Sequence, residues 1–399
     1  MECQGQTLPK QNLLISIFAY STTRPLAVQH EPTKILRHLT MINQNYGLIR
    51  QGEGNAVLKA IPIPKLKDDY ILVRTVAIAL NPTDWTTLDA KGDDGTLVGC
   101  DYAGIVEEVG EAVVKQFKKG DRVMGIGHGG NDANPETGAF ARYIVVKGDI
   151  QIRIPDDVSF ETAATAGVGL LTTGYGLYKI LDLPWPEVSR GLSEESILVF
   201  GGSTSTGSIA IQFAKLSGYR VLTTCSPRHF DMVKERGADM VYDYRDPQVG
   251  EKINAETNNS LTKIFDTVAI ESTAEACATA FGAQGGLYCN LLGAECPRKD
   301  VKSEFFLGYS MSGQEYIFEG DSYPAQPKDF VFAKRWVESA ERLWEQGKWK
   351  CHPEKLLPGG LQGAVQGMQA MREGKGPSGE KWVYRADETE WPNMNDDKL

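Results

Sequence analysis

Short apolar runs interrupted by glycine fill the chain between residues 41 and 168. Hydrophobic residues dominate 70–80, 104–110, 120–125 and 140–146, and glycines mark several of their ends. Short strands separated in this way are typical of a small β-barrel. The period changes over 160–181, where no proline occurs, so we predict one or two helices there.

Strand-like and helix-like segments alternate from residue 197 onward. We predict strands at 197–200, 220–225, 240–244, 263–270 and 286–292, and helices at 206–216, 229–237 and 274–281. This alternation is the pattern of a doubly wound parallel sheet. A long amphipathic helix over 330–347, a helix ending near Met371 and a strand over 381–384 follow. We assign that last strand to the first lobe.

The length of 399 residues favours two domains. We predict a catalytic domain from 42–168 and 326–386, a nucleotide-binding domain from 169–325, and a frayed tail over 387–399. Residues 1–41 are expected to be a disordered extension, with Met41 as the natural start. The alternative is a signal peptide built on the apolar run at 13–20, although no convincing cleavage site follows that run.

Composition excludes several classes of partner. The net charge of −10 and the lack of a Lys/Arg run argue against binding to nucleic acid or to an anionic membrane. Seven scattered cysteines without a Cys-x-x-Cys pair predict neither a disulfide framework nor a structural zinc cluster. We therefore expect a cytoplasmic enzyme.

The segment 197–216 predicts a strand, a glycine-containing turn and a helix. Such a unit directs backbone amides and a helix N-terminus at one point, which suits a pyrophosphate. Set against G-x-G-x-x-G, Gly202 and Gly207 take the first and third glycine positions, and Thr204 replaces the second. The incomplete pattern leaves an ordinary strand–helix turn as the alternative.

The end of the next strand indicates which cofactor is bound. An NAD enzyme places Asp or Glu there for the ribose hydroxyls, whereas this chain continues as Ser226, Pro227, Arg228 and His229. A hydroxyl, a guanidinium and an imidazole favour a 2′-phosphate and hence NADPH. The alternative is a Ser-Pro helix start with incidental basic residues.

The order of these segments resembles the medium-chain dehydrogenase/reductase superfamily from residue 41 to residue 385. Within it the chain is similar to fungal trans-acting enoyl reductases of polyketide synthase pathways, of the lovastatin-pathway type. The resemblance implies an α/β protein with a GroES-like β-barrel catalytic domain and a Rossmann domain. The motifs that carry it are 81–85, 98–104, 109–110 with 120–123, 138–141, 154–155 with 163–164, 171–173, 200–204, 216–219, 224–227 with 230–231, 379–381 and the proline-containing insertion at 183–195.

The resemblance also implies the site residues. Tyr102 and Thr173 are the expected hydrogen-bond donors near the nicotinamide, with Tyr102 as a packed core residue in the alternative. Cofactor contacts are expected at Thr83, Asp84, Trp85, Thr86, Gly202, Ser203, Thr204, Ser205, Thr206, Gly207, Ser226, Pro227, Arg228, His229, Tyr244, Leu291, Leu292, Trp382 and Val383. The substrate is expected along Thr173, Gly174, Tyr175, Gly176, Leu177, Tyr178, Phe306, Leu307, Gly308, Tyr309 and Ser310. For the helix from Thr173 to Ile180, whose aromatic residues could line an acyl channel, the alternative is plain core packing.

Two departures from related enzymes affect the chemistry. Metal-using relatives carry Cys near the position of Asn81 and Gly-His-Glu where this chain has Gly-Cys-Asp at 99–101. Of the side chains that could bind zinc, only Cys100 and Asp101 are left, and a catalytic zinc needs about three protein ligands, so no metal is expected. Related reductases commonly carry Lys at the position of Thr86, and a hydroxyl cannot supply that charge. The lysine is then dispensable, or Lys91 or another residue replaces it, or the reaction differs.

Three functions follow as alternatives. The first is enoyl reduction in trans on an acyl chain attached to a polyketide synthase carrier domain, by a monomer or homodimer. The second is a free-standing quinone or enone reductase. The third is a catalytically silent NADPH-binding scaffold, which the missing lysine motivates.

Overall fold

The computed structural model describes residues 44–188 and 195–391. The predictions about the N-terminal extension and Met41, part of the insertion (189–194) and the last residues of the tail (392–399) lie outside this range. The first half contains strands β1 (Asn45–Arg50), β2 (Ala56–Ile61), β3 (Tyr70–Ala79), β4 (Asp101–Val109), β5 (Arg122–Ile126), β6 (Tyr143–Lys147) and β7 (Ile152–Arg153). Its helices are α1 (Pro82–Asp89), α2 (Phe160–Ala164) and α3 (Gly167–Gly174), which continues as a π-helical turn over Tyr175–Ile180.

The second half alternates strands and helices as predicted. It contains β8 (Ser196–Phe200), α4 (Ser205–Leu216), β9 (Arg220–Cys225), α5 (Phe230–Glu235), β10 (Met240–Asp243), α6 (Val249–Glu256), β11 (Lys263–Asp266), α7 (Glu271–Ala280), β12 (Gly286–Asn290) and β13 (Val301–Phe305). There follow β14 (Tyr316–Phe318), β15 (Asp321–Tyr323), α8 (Pro327–Glu345), β16 (Glu354–Leu356), α9 (Gly360–Arg372) and β17 (Lys381–Arg385).

Six parallel strands form the second sheet in the order β10-β9-β8-β11-β12-β13. This is the 3-2-1-4-5-6 order of a Rossmann fold, so the predicted fold class is confirmed. Alternate residues of β8 face opposite sides: Ile197 and Val199 pack with the α4 side, and Leu198 and Phe200 with the α7 side. Helices therefore cover both faces.

The first sheet has the order β16-β17-β3-β4-β5-β7, with β6 also paired to β3. The prediction that the last strand returns to the first lobe is confirmed, because β17 pairs antiparallel with β3 at Val383 and Ala79. The exact domain boundaries stay a prediction.

Several predicted segments differ in extent from the observed ones, and two of them have a clear local cause. The strand expected over 263–270 ends at Asp266, because the Asp266 carboxylate accepts from the amides of Val268 and Ala269, at 2.9 Å each, and turns the chain. The tail is ordered at its start: Ala386–Glu388 form a 3₁₀ turn, and the Leu361 amide donates to the hydroxyl of buried Thr389 at 3.1 Å. No helix in residues 44–188 and 195–391 is long and apolar enough to cross a membrane.

Candidate active site

The carboxyl ends of the parallel strands bring most of the predicted cofactor residues to one edge. In spatial order, this edge carries Tyr244 after β10, 226–229 after β9, 201–207 after β8, 291–292 after β12 and 306–310 after β13. Neighbouring strands lie about 4.8 Å apart, so the ends of β9 and β13 are about 19 Å from each other. An extended ligand along this edge would meet these segments in that order.

The turn after β8 requires glycine at three places. Gly201 adopts a φ of +82°, a region that L side chains rarely occupy. A Cβ at Gly202 would clash with the Thr223 side chain, and one at Gly207 with the Gly201 carbonyl. The third glycine of the pattern therefore lets α4 pack against the end of β8.

Thr204 caps α4, which explains the missing middle glycine. Its hydroxyl accepts from the Gly207 amide at 2.9 Å and lies 2.9 Å from the Thr267 hydroxyl. Ser205 and Thr206 begin the helix, and first-turn amides have no partner within a helix, so these can face a phosphate. Ser203 lies half-buried in the same turn.

A basic group stands at the end of β9, on the 3₁₀ turn Pro227–His229 that follows Ser226. Arg228 is exposed, and its guanidinium donates to the Ser378 hydroxyl at 2.8 Å. His229 Nε2 lies 3.1 Å from the same hydroxyl. Burial, followed by the charge of Arg228, lowers the pKa of His229.

Ser378 was missed by the sequence analysis. It lies just before β17, a strand of the first sheet. This segment passes so close to the end of β9 that a Cβ on Gly379 would clash with the His229 ring. The only local signal was the Pro-Ser-Gly turn at 377–379. It did not show that Arg228, 150 residues earlier, would be its partner.

The remaining cofactor predictions on strand ends divide into accessible and buried side chains. Tyr244 and Leu292 are exposed, Leu291 is half-buried, and so is Trp382 on β17. Val383 is fully buried in the core and its carbonyl accepts from the Leu357 amide, so its contact with a cofactor stays a prediction. Strand alternation places Trp382 and Val383 on opposite faces.

Helix α1 holds the remaining predicted cofactor residues. Asp84 is buried, and its carboxylate accepts from the Asn81 amide at 2.7 Å at the start of the helix, so its contact with a cofactor stays a prediction. Burial raises the pKa of Asp84 to about 7. Trp85 and Thr86 are half-buried, and Thr83 is partly exposed.

Thr83 meets Tyr309, which joins a predicted cofactor residue to a predicted substrate residue. Their hydroxyl oxygens lie 2.6 Å apart. The Tyr309 ring stacks on His128, with centroids 3.8 Å apart and planes within 1°. The sequence analysis treated neither contact, because the three residues come from separate parts of the chain.

The two predicted hydrogen-bond donors have other partners. Tyr102 is fully buried in the β-barrel core, and its hydroxyl donates to Gln151 Oε1 at 2.9 Å, which favours the packed-core alternative. Thr173 is also fully buried and donates to the Thr206 carbonyl at 3.3 Å. Thr173 therefore joins α3 to the first turn of α4, and its role as a donor to a ligand stays a prediction.

The predicted substrate helix is mostly core. A Cβ on Gly174 would clash with Trp336 and one on Gly176 with Phe265, while Leu177 is fully buried. Tyr178 is buried too, and its hydroxyl lies 3.0 Å from Ser217 Oγ. These four residues pack into the core, as in the core-packing alternative, and their role as substrate contacts stays a prediction.

Tyr175 and Lys179 of this turn line an open cleft of about 440 Å³ beside β13. The Tyr175 ring stacks on Phe306 at 4.5 Å. Asp329 lies at the floor, where it accepts from the hydroxyls of Tyr175 (2.9 Å) and Ser310 (2.6 Å) and pairs with Lys179. Leu307 also lines the cleft, and Gly308 begins the 3₁₀ turn that carries Tyr309.

The position of metal ligands in related enzymes is filled by a buried ion pair. Asp101 pairs with Lys381 of β17 and accepts from the Val168 amide at 2.6 Å, so both carboxylate oxygens are occupied. Lys381 also donates to Asn81 Oδ1 at 2.8 Å. Cys100 is buried beside them. In the described ranges, no group of three or more His, Cys, Asp or Glu side chains could hold a metal ion.

Comparison with known proteins places this geometry in a family context. A model of the alcohol dehydrogenase GroES-like domain matches residues 67–156, and one of the zinc-binding dehydrogenase matches 205–308. The chain is 44% identical over 344 residues to the trans-enoyl reductase ACTTS2 of Alternaria alternata, which covers 85% of this chain and 98% of the relative. It is 52% identical over 257 residues to the trans-enoyl reductase TOXD of Cochliobolus carbonum, covering 64% of this chain and 86% of the relative. The crystal structure of the CurK enoyl reductase superposes with a TM-score of 0.66 at 20% identity, covering 86% of this chain and 99% of that one.

Proposed function

The chain belongs to the trans-enoyl reductases of the medium-chain dehydrogenase/reductase superfamily, and from this premise we propose a specific reaction. The protein uses NADPH to reduce an activated C=C bond in an acyl chain held by a polyketide synthase carrier domain. Reductases of this superfamily bind a nicotinamide cofactor. The choice of NADPH, the carrier-bound substrate and the action in trans are the parts that we propose.

The group at the end of β9 carries the proposal of NADPH. Arg228, His229 and Ser378 converge on one exposed point at the place where the second strand of a Rossmann fold meets the adenosine ribose. A guanidinium, an imidazole and a hydroxyl are suitable partners for a phosphate and poor partners for two ribose hydroxyls. Ser226 adds a second hydroxyl at the strand end.

The same edge fits the rest of a dinucleotide. The close approach at Gly202 and Gly207 and the first-turn amides of Ser205 and Thr206 would hold the diphosphate. When bound, the reduced nicotinamide supplies a hydride. Asp101, Lys381 and Asn81 fix the first sheet against α3, which sets the distance between the turn and α1.

Reduction of a conjugated C=C suits this site because its main need is stabilisation of an enolate. Helix α1 carries uncharged hydroxyls at Thr83 and Thr86. Related reductases commonly carry a lysine at the position of Thr86. The open cleft beside β13, with Tyr175 and Phe306 as its stacked wall, could receive a thioester-linked chain. A carrier domain would present such a chain from outside.

Assays of NADPH oxidation with a substrate panel test the proposal. We expect turnover of α,β-unsaturated acyl-pantetheine thioesters, with higher kcat/KM when the chain is carried by a synthase carrier domain. High kcat/KM on small quinones or cyclohexenone, with none on the thioesters, would favour a free-standing quinone or enone reductase. Stoichiometric NADPH binding without any turnover would favour a scaffold.

A further inference from the structure

One side chain of the second half of the molecule enters the first beside α1. Tyr309, on the 3₁₀ turn after β13, places its hydroxyl 2.6 Å from Thr83 Oγ1. Its ring is held flat against His128, which follows β5. Hydrogen bonding at one end and stacking on the ring face leave the hydroxyl little freedom to move.

The strand order indicates which end of the cofactor this hydroxyl faces. The phosphate-binding group follows β9 and the glycine turn follows β8, so the nicotinamide lies farther along the edge, toward β12 and β13. Tyr309 follows β13. Its partner Thr83 lies on α1 one turn before Thr86, the position of the lysine in related reductases.

On the premise of the proposed function, we propose that the Tyr309 hydroxyl, paired with that of Thr83, donates the hydrogen bond that stabilises the enolate oxygen. A hydride adds to Cβ, the π electrons of the C=C bond move between Cα and the carbonyl carbon, and the carbonyl oxygen gains negative charge. Tyr309 hydrogen-bonds this oxygen without transferring its proton. Water then protonates Cα and the carbonyl re-forms.

The surroundings keep both aromatic groups uncharged. Burial raises the pKa of the Tyr309 hydroxyl well above its usual value, so it stays a donor. Burial also lowers the pKa of His128 to about 3, so its ring is neutral at physiological pH. Preorganised donors are most effective where water is excluded, and this pair takes the place of the cation that is missing at Thr86.

Tyr309→Phe is the direct test, with Tyr102→Phe as the matched control that also removes one tyrosine hydroxyl. With an enoyl-pantetheine thioester, kcat of Tyr309→Phe should fall on the order of 100- to 1,000-fold, with the Kd for NADPH unchanged. Binding of a saturated acyl-pantetheine thioester, measured without turnover, should weaken by roughly three- to tenfold, the value of one hydrogen bond. Tyr102→Phe should change neither quantity, because that hydroxyl donates to Gln151 in the core.

Thr83→Val provides a second variant that keeps the side-chain shape. It should also lower kcat, and the double variant should lose less than the product of the two single losses, because the hydroxyls act as a pair. Unchanged kcat in Tyr309→Phe would overturn the role of Tyr309, and so would a fall in kcat accompanied by an equal loss of NADPH affinity. Neither result would affect the proposed function. If Tyr309→Phe does not fold, unchanged kcat in Thr83→Val overturns the inference. Lack of thioester reduction by the unsubstituted protein would overturn the proposed function itself.

Discussion

Arg228 and Ser378 show how single residues set cofactor choice in this fold. They lie 150 positions apart, yet their side chains meet at 2.8 Å where β9 ends. Among residues 44–188 and 195–391, neither has a buried carboxylate as partner there, so a phosphate can engage the guanidinium without displacing an ion pair. The sequence alone identified Arg228, because its position after a strand is a local property, and missed Ser378, because its partner is distant in the chain.

Replacement of Arg228 by alanine should separate the two nicotinamide cofactors. We expect the Kd for NADPH to rise on the order of tenfold, since one charge-assisted phosphate contact is lost, and the Kd for NADH to stay nearly constant. Fluorescence titration measures both. Arg245→Ala is the matched control, because that exposed guanidinium is already paired with Asp243 at the same edge. Equal effects of Arg228→Ala on both cofactors would contradict the assignment.

At the scale of elements, the β8–turn–α4 unit was predictable from the sequence. The packing of α3 and the π-helical turn that continues it was not. Hydrophobic period and turn glycines located β8, α4 and β9 within one residue of their observed bounds. The family resemblance placed substrate along the helix from Thr173 to Ile180, but the face that this helix buries depends on Trp336 and Phe265, which are far away in sequence. Periodicity identifies an apolar helix and does not identify what covers it.

Gly207→Ala tests the close packing of α4 on the end of β8. An added methyl would overlap the Gly201 carbonyl, so the turn must open or the helix must move. We expect a lower melting temperature together with NADPH binding weakened by more than tenfold. Gly376→Ala is the control, since the nearest atom that a Cβ there would meet is Met371 Cγ of a flexible side chain, at 3.3 Å. An unchanged Kd for NADPH in Gly207→Ala would contradict the proposed position of the diphosphate.

Across the whole molecule, β17 connects the first sheet to the cofactor edge. Lys381 begins the strand and pairs with Asp101 of β4, which in turn accepts from Val168 at the start of α3. The segment just before β17 supplies Ser378 to Arg228. The return of this strand to the first sheet was predicted, but its buried ion pair was not, because sequence does not show which lysine lies in a core.

Lys381→Met should destabilise the fold strongly. It would leave the fully buried Asp101 carboxylate without its cation, which typically costs about 3–5 kcal/mol of the free energy of unfolding. Denaturant unfolding measures this loss. Asp101→Asn combined with Lys381→Met should recover much of it, because no unpaired charge is then buried. Lys375→Met, at an exposed position, should have no measurable effect, and an equally small effect of Lys381→Met would contradict the buried pair.

Transfer of hydrogen to a carrier-bound chain is the most direct test of the central claim. An unsaturated acyl chain on a polyketide synthase carrier domain is incubated with the protein and NADPH that is deuterated at both C4 positions, and the chain is then analysed by mass spectrometry. The proposed function predicts a saturated chain with one deuterium at Cβ and a solvent proton at Cα. An unchanged chain, under conditions where NADPH binds and small quinones are reduced, would contradict it.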